Sequence, residues 1–304
     1  MVRISVLLPV YNGLPYLKDS VEGILQQDFL DYDIHILDDC STDGSWDYLN
    51  TIKSDRIILS RNSRNMGLFF NLNKLVKQSS SSLIKLWSQD DIMQSNTLGS
   101  IARFHDIYPS IGFSYTGVKY IDEHNVIIDQ GKEDDTPEII DSEMHARIAF
   151  RWGSVAGNIA NVTISRFVFD KVGLFNEKMR IAGDTEMWFR IAEHFPIGFM
   201  KGKLIYLRRH KGQLSSQEKY YLDHLYEELS AYDYLKGYLS PELIQSGLED
   251  MRKYKLQFYV TLMFKFFAKR RFNTAFRFWR RLAAFDRMDI LLKYFFLKKV
   301  LKLK

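Results

Sequence analysis

The feature that most constrains this chain is the alternation, across residues 4–87, of short apolar runs with longer amphipathic stretches. Ile4–Pro9 (ISVLLP), Asp33–Leu37 (DIHIL), Arg56–Ser60 (RIILS) and Leu83–Trp87 (LIKLW) read as short buried strands. Between them, Leu14–Gln27, Ser45–Ile52 and Leu68–Lys77 read as helices. In the first of these, Leu17, Val21, Ile24 and Leu25 share a face and Pro15 suits an opening turn. Strands and helices alternating at this spacing predict an α/β fold, a mainly parallel sheet with helices on both faces. Ligands of such sheets bind beyond the carboxyl ends of the strands. Three polar clusters fall at those ends: Tyr11-Asn12-Gly13, Asp38-Asp39 and Asp90-Asp91.

Adjacent carboxylates repel, and an apolar strand is a costly place to end with two of them. Asp90 and Asp91 suit a divalent cation, since hard carboxylate oxygens hold Mg²⁺ or Mn²⁺ while phosphates complete the shell. A solvated turn leading to a helix near Asn96 explains the same pair. Asp38 and Asp39 could accept hydrogen bonds from a base or ribose, whereas Ser41, Thr42 and Asp43 after them are ordinary turn and cap residues. Tyr11 could stack on a planar base or cover the core as a loop residue.

Farther along, Ile111–Tyr115, Lys119–Ile128 and Leu204–Arg209 read as strands, Ser165–Val172 and Asp184–His194 as helices, and Gly131–Asp141 as an acidic loop. Asp184 and Glu186 open their helix. They serve either as cap and dipole partner or, for Asp184, as a general base. His210 follows the last strand, as a surface histidine or a metal ligand. No GxGxxG, GxxxxGK[ST], HExxH or paired CxxC is present, which removes support for a dinucleotide site, a P-loop and a zinc protease.

From about Gln217 onward the pattern is helical throughout. Leu256, Tyr259, Val260, Met263, Phe266 and Phe267 form one stripe within a helix expected over 251–270, and Asn273 is placed to cap the next. Charge separates along the chain. Residues 251–304 carry 16 Lys/Arg and 2 Asp/Glu, a net of +14, against −9 for the rest. A basic tail on an acidic body suggests an anionic partner. A single cysteine, Cys40, excludes an internal disulfide framework. The N-terminus does not read as a signal peptide, and no stretch reaches the ~20 apolar residues of a spanning helix.

Six segments in order, over residues 3–212, resemble the family 2 glycosyltransferases of GT-A fold: SVLLPVYNG, ILDDCSTDGS, RNMGLFFNLNKLV, LWSQDD, VGLFNEKM followed by AGDTEMWFR, and RRHKGQLS. The resemblance implies a GT-A catalytic domain over 1–215 and a basic, aromatic helical region over 216–304. By position, Pro9 and Tyr11 would line the base, and Asp39, with Asp38, would contact uracil or ribose. Arg64, Asn65 and Gly67 would close over the nucleotide. Asp90 would lie near the ribose, Asp91 and His210 would meet the metal, with His210 also within reach of the diphosphate, and Asp184 would be the base with Glu186 an acid two residues on. Two positions depart from the pattern: Ser88 replaces the first acid of DxDD, and Gly183 replaces a glutamate before the base.

The activity implied by this resemblance is an inverting transfer of sugar from a nucleoside diphosphate sugar to an acceptor hydroxyl on a lipid-linked or cell-surface glycan. Uridine is the expected base, and Mn²⁺ or Mg²⁺ would assist. The expected setting is cytoplasmic, at the inner face of the cell membrane, with 251–304 meeting anionic lipid and no nucleic acid bound. A nucleotidyltransferase and a non-catalytic membrane-associated scaffold are the alternatives. VYNGLPYLKD lacks the glycine-rich basic loop of the first, and Asp91 together with Asp184 argues against the second.

Overall fold

A computed structural model describes residues 3–131, 135–213 and 217–301, with side chains to 297. The boundary expected at 215/216, part of the acidic loop, Leu214-Ser215 of the last motif and the final residues of the basic tail lie outside the described residues. The chain forms two compact units. The first comprises Met1–Asp141, Ala156–Arg180 and His194–Gln213; the second comprises Ser142–Val155, Ile181–Glu193 and Leu214–Lys304. Two segments that precede residue 215 therefore belong with the C-terminal helices.

The first unit is built on a ten-stranded sheet. β1 (Ile4–Val10), α1 (Leu17–Leu25), β2 (Tyr32–Asp38), α2 (Ser45–Thr51), β3 (Ile57–Arg61), α3 (Leu68–Gln78) and β4 (Leu83–Leu86) follow the expected alternation. Pro15 precedes α1 rather than opening it. β1 pairs in parallel with β2 and β4, and β2 with β3. Then come β5 (Ile92–Met93), α4 (Thr97–Ile107), β6 (Phe113–Ile121), β7 (Ile127–Asp129), β8 (Ile139–Ile140), β9 (Thr163–Ser165), α6 (Val168–Val172) and β10 (Ile197–Arg208). Spatial order is β3-β2-β1-β4-β9-β6-β10-β5, with β9 and β5 running antiparallel to their neighbours. All seven residues of β1 are buried, the pattern of a central strand covered on both faces.

Several elements differ from the sequence reading, each for a local reason. The two strands expected over 111–128 are one nine-residue β6 and a short β7. The strand expected at Leu204–Arg209 is the second half of a twelve-residue β10. A bulge at Lys201-Gly202 interrupts its register with β6, and Gly202 sits at φ +128, so the apolar pattern breaks without the strand ending.

The second unit contains α5 (Ser142–Trp152), α7 (Gly183–His194, to Glu193), α8 (Tyr221–Lys236), α9 (Pro241–Lys253), α10 (Lys255–Ala268), α11 (Phe272–Phe285) and α12 (Met288–Leu301). The single helix expected over 251–270 is broken at Tyr254. Asn273 lies inside α11, whose cap is Arg271, and so does not cap it. α9 starts where Ser240 Oγ accepts from Leu243 N and Pro241 takes the first helical position, where its missing N–H costs nothing. The core joins Phe150, Phe189, Tyr232, Phe266 and Phe278, all essentially inaccessible.

α5 and α9 approach closely at Gly247, where a Cβ would stand 2.2 Å from Phe150 Cδ2. Alanine is the better helix former by about 1 kcal/mol, but overpacking a filled core costs typically 1–3 kcal/mol. Gly247→Ala is therefore expected to lower the melting temperature. An unchanged or higher value in a thermal melt contradicts this packing.

Candidate functional site

The order of strands reverses at β1. The chain moves outward through β2 and β3, then returns to lay β4 on the other side of β1. Loops leaving the carboxyl ends of β1 and β4 diverge at such a point and leave a crevice. Gln89 fixes the gap: its Oε1 accepts from Tyr11 N at 2.8 Å and its Nε2 donates to Tyr11 O at 3.1 Å. That leaves the Tyr11 ring exposed, free to cover a planar ligand. Pro9, two residues earlier, is buried within β1.

The β1 and β2 loops are laced together. Asn12 N donates to Ser41 Oγ at 2.9 Å, Thr42 N to Asn12 Oδ1 at 2.8 Å, and Leu14 N to Asp43 Oδ2 at 2.9 Å. Asp38, fully buried, forms an ion pair with Arg61 Nε at 3.0 Å and accepts from Ser41 N at 3.1 Å. Its Oδ1 has no partner among the described residues. Asp39 has three donors, Asn62 Nδ2 at 2.8 Å, Met66 N at 2.8 Å and Gly67 N at 2.9 Å. It thereby braces the segment carrying Arg64 and Asn65, both exposed. Gly67 holds φ +90 directly before α3.

Beyond β4, Asp91 is buried and its Oδ1 accepts from Arg208 N at 2.9 Å. Burial pushes its carboxyl up to about 7, and neighbouring Asp90 adds to the rise. Lys85, inside β4, donates to the Ala160 and Val162 carbonyls. Burial pushes it down to about 7, while Asp91 pulls it back up. Arg208 is fully buried: besides its amide, Nε donates to Asp90 O at 2.8 Å, Nη1 to Asp122 O at 2.8 Å and Nη2 to Asp19 Oδ2 at 3.2 Å. His210 Nε2 lies 3.4 Å from Asp90 Oδ2 without hydrogen-bond geometry, and its ring packs on Tyr16. Gly212 N donates to His210 Nδ1 at 3.2 Å, so the neutral ring carries its proton on Nε2, toward Asp90.

In the second unit, Asp184 is the second residue of α7 and accepts from Thr185 N at 2.7 Å. Burial pushes its carboxyl up to about 6, and the Glu228 charge adds to the rise. Glu227 Oε2 accepts from Ile181 N at 2.8 Å and Ala182 N at 2.9 Å, so α8 holds the start of α7. Glu228 is itself bound by Lys255 Nζ at 2.6 Å and by Tyr259 OH. Glu186 forms a two-pronged ion pair with Arg190, at 2.7 and 3.0 Å.

Residues 5–126, which contain every acid of the β1, β2 and β4 ends, match the model of Glycosyl transferase family 2. This chain carries a glycosyltransferase family 2 domain. An uncharacterized glycosyltransferase of Rickettsia conorii is 26% identical over 222 residues, 70% of this chain and 35% of that protein. The chain thus spans about a third of the length of the first curated relatives it matches. The Escherichia coli UDP-Glc:α-D-GlcNAc-diphosphoundecaprenol β-1,3-glucosyltransferase WfaP is 26% identical over 222 residues, 72% of this chain and 82% of WfaP. Among solved structures, S. aureus TarS in complex with UDP-GlcNAc shares the fold, with TM-score 0.65 and 17% identity over 83% of this chain and 72% of that one. The GT-A sheet with a following helical region, expected from sequence, is the fold observed.

Arg208 joins Asp91, through its amide, to Asp90, through its guanidinium, and His210 lies beside Asp90. Among the described residues, no group of three or more His, Cys, Asp or Glu side chains forms a closed metal cage. The donor set nonetheless fits a hard cation whose shell is completed by phosphates, which needs only one or two protein carboxylates. His210 Nε2, buried and without a hydrogen-bond partner among the described residues, is placed beside Asp90 to donate to such a phosphate.

Gln89, Asn62, Lys85 and Arg208 were not singled out from the sequence. Lys85 alone carried a signal, as a charge inside an apolar run; Gln89 and Arg208 act mainly through backbone groups and Asn62 through the side chains of Asp39 and Asn71, contacts that spacing does not reveal. Removing the Asp39 carboxylate strands three donors, at about 1–3 kcal/mol for each buried group left unpaired. Asp39→Ala is therefore expected to raise amide exchange at Met66 and Gly67. Unchanged protection there contradicts the bracing role.

Proposed function

We propose that this protein transfers a sugar from a nucleoside diphosphate sugar, with UDP the nucleotide, to a hydroxyl of a lipid-linked or cell-surface glycan, inverting the anomeric centre. The observation that carries this reading is the convergence of buried, braced acids at the β1–β4 reversal within the segment that matches family 2. The UDP-GlcNAc complex of TarS and the UDP-glucose donor named for WfaP support the nucleotide, and WfaP's diphosphoundecaprenol acceptor supports the lipid-linked class. The setting we propose is the inner face of the cell membrane, with residues 251–304 toward anionic lipid.

Tyr11 covers the base, and the Asp38–Asp39 pair with the 64–67 segment holds the nucleoside. Asp90 sits on the ribose side. Asp91 would hold a Mn²⁺ or Mg²⁺ ion, with Asp90 and His210 beside it. Such a cation would supply Lewis-acid stabilisation for the negative charge on the departing β-phosphate. While Nδ1 accepts from Gly212, the Nε2–H of His210 serves the diphosphate oxygens better than the cation.

The acceptor hydroxyl has a pKa far above 7, so its attack needs a base, and Asp184 is that base. Attack from the side opposite the leaving diphosphate inverts the centre. Glu186, tied to Arg190, sets the acceptor side of α7 rather than moving a proton. Asp184→Asn is expected to lower turnover about 10²–10⁴-fold while leaving UDP binding in calorimetry intact. Near-normal turnover removes the base assignment. Asp91→Asn is expected to abolish the dependence of UDP-sugar binding on added Mn²⁺; an unaltered metal titration removes the metal role.

Asp184 works deprotonated, so kcat/KM should fall as pH drops through about 6, roughly tenfold per unit. The Glu228 charge raises that carboxyl, so Glu228→Gln is expected to move the acid limb to lower pH. A limb that moves upward, or stays put, separates Glu228 from the base.

A further inference from the structure

α11 has two apolar faces, and only one is used. Ala275, Phe278, Leu282 and Phe285 are buried in the helical unit. Phe272, Phe276 and Trp279, spaced four and three apart, fall within a ~60° arc on another side at 100° per residue. They are 55%, 65% and 40% exposed. Phe267, at the end of α10 and 60% exposed, meets Phe272 edge-on with ring centroids 5.3 Å apart. Four aromatic residues on one side thus stand exposed to water, where apolar surface is normally hidden.

The charges beside these rings discriminate among partners. Lys269 and Arg271 bind Glu218, and Arg281 binds Asp233. Arg270, Arg277 and Arg280 are exposed and form no ion pair among the described residues. A second copy of the same face would bring these arginines against one another. A surface of anionic lipid would neutralise them while taking the rings into the headgroup boundary. Among the described residues no helix is long and apolar enough to cross a membrane, so contact of this kind lies in the plane of the surface.

We propose that the Phe267–Phe272–Phe276–Trp279 set, flanked by Arg270, Arg277 and Arg280, is an in-plane docking face for an anionic lipid membrane. The proposal rests on the membrane side of the functional reading and is independent of its donor chemistry. The test is flotation of the full chain with phosphatidylcholine vesicles, with and without phosphatidylglycerol. Wild type is expected to float with the anionic vesicles, weakly with neutral ones, and less at high salt. Phe272→Ser with Phe276→Ser should reduce partition about tenfold or more, as should Arg277→Glu with Arg280→Glu. Circular-dichroism melts confirm that each variant folds. In the wild-type fold, brominated lipid should quench tryptophan emission, and Trp279→Phe should remove most of that quenching.

Absence of wild-type flotation, equal flotation of the variants, or quenching unchanged by Trp279→Phe overturns the proposal. A concentration-dependent dimer in sedimentation that the double serine variant abolishes, without flotation, assigns the face to a second copy instead. A chain that floats yet transfers no sugar sinks only the catalytic reading; one that transfers sugar to a soluble acceptor yet never floats sinks only this one.

Discussion

A carboxylate taken out of water must find donors, and the sheet unit is organised around that requirement. An uncompensated buried charge costs several kcal/mol, more than most single contacts return. Each acid at a strand end therefore recruits a neighbouring segment. Asp38 takes Arg61 and the Ser41 amide. Asp39 takes the amides of Met66 and Gly67, and Asp91 takes the Arg208 amide from the far end of the sheet. The loops around the crevice are shaped by the needs of these acids, and groups that look reserved for a ligand are also what hold the walls in place.

This double duty explains which parts of the site could be read in advance. The alternation of strands and helices, the reversal at β1 and the placement of acids at carboxyl ends follow from local periodicity, which the sequence displays directly. What each acid binds does not, because its partners are backbone amides, one of them over a hundred residues away, together with the Arg61 and Asn62 side chains from the next strand end. Arg208 sits in the basic run Arg208-Arg209-His210-Lys211. Arg208 ends β10 buried while Arg209, just past the strand, is exposed, a difference that the run itself does not display.

The same logic explains what was missed in the fold. α5 buries His145, Ala146, Ala149 and Phe150, a face too small and too polar to announce a helix. The bulge at Gly202 hid half of β10. The C-terminal helices were legible because large aromatics repeat at helical spacing, but the break at Tyr254 and the true start of α11 were not. Asp184 could be picked out by its motif, yet nothing in the sequence says that its helix is held by Glu227 of α8.

The path of the chain through its two units has an evolutionary corollary. Residues 142–155 and 181–193 pack with the terminal helices, and the polypeptide returns to the sheet unit between them. No single crossover point in the gene separates the two bodies. Recombination that swapped only the last ninety or so codons would leave α5 and α7 facing a foreign set of helices, with Gly247 no longer opposite Phe150. Diversification of the helical body must therefore proceed by compensated substitution across all three of its chain segments.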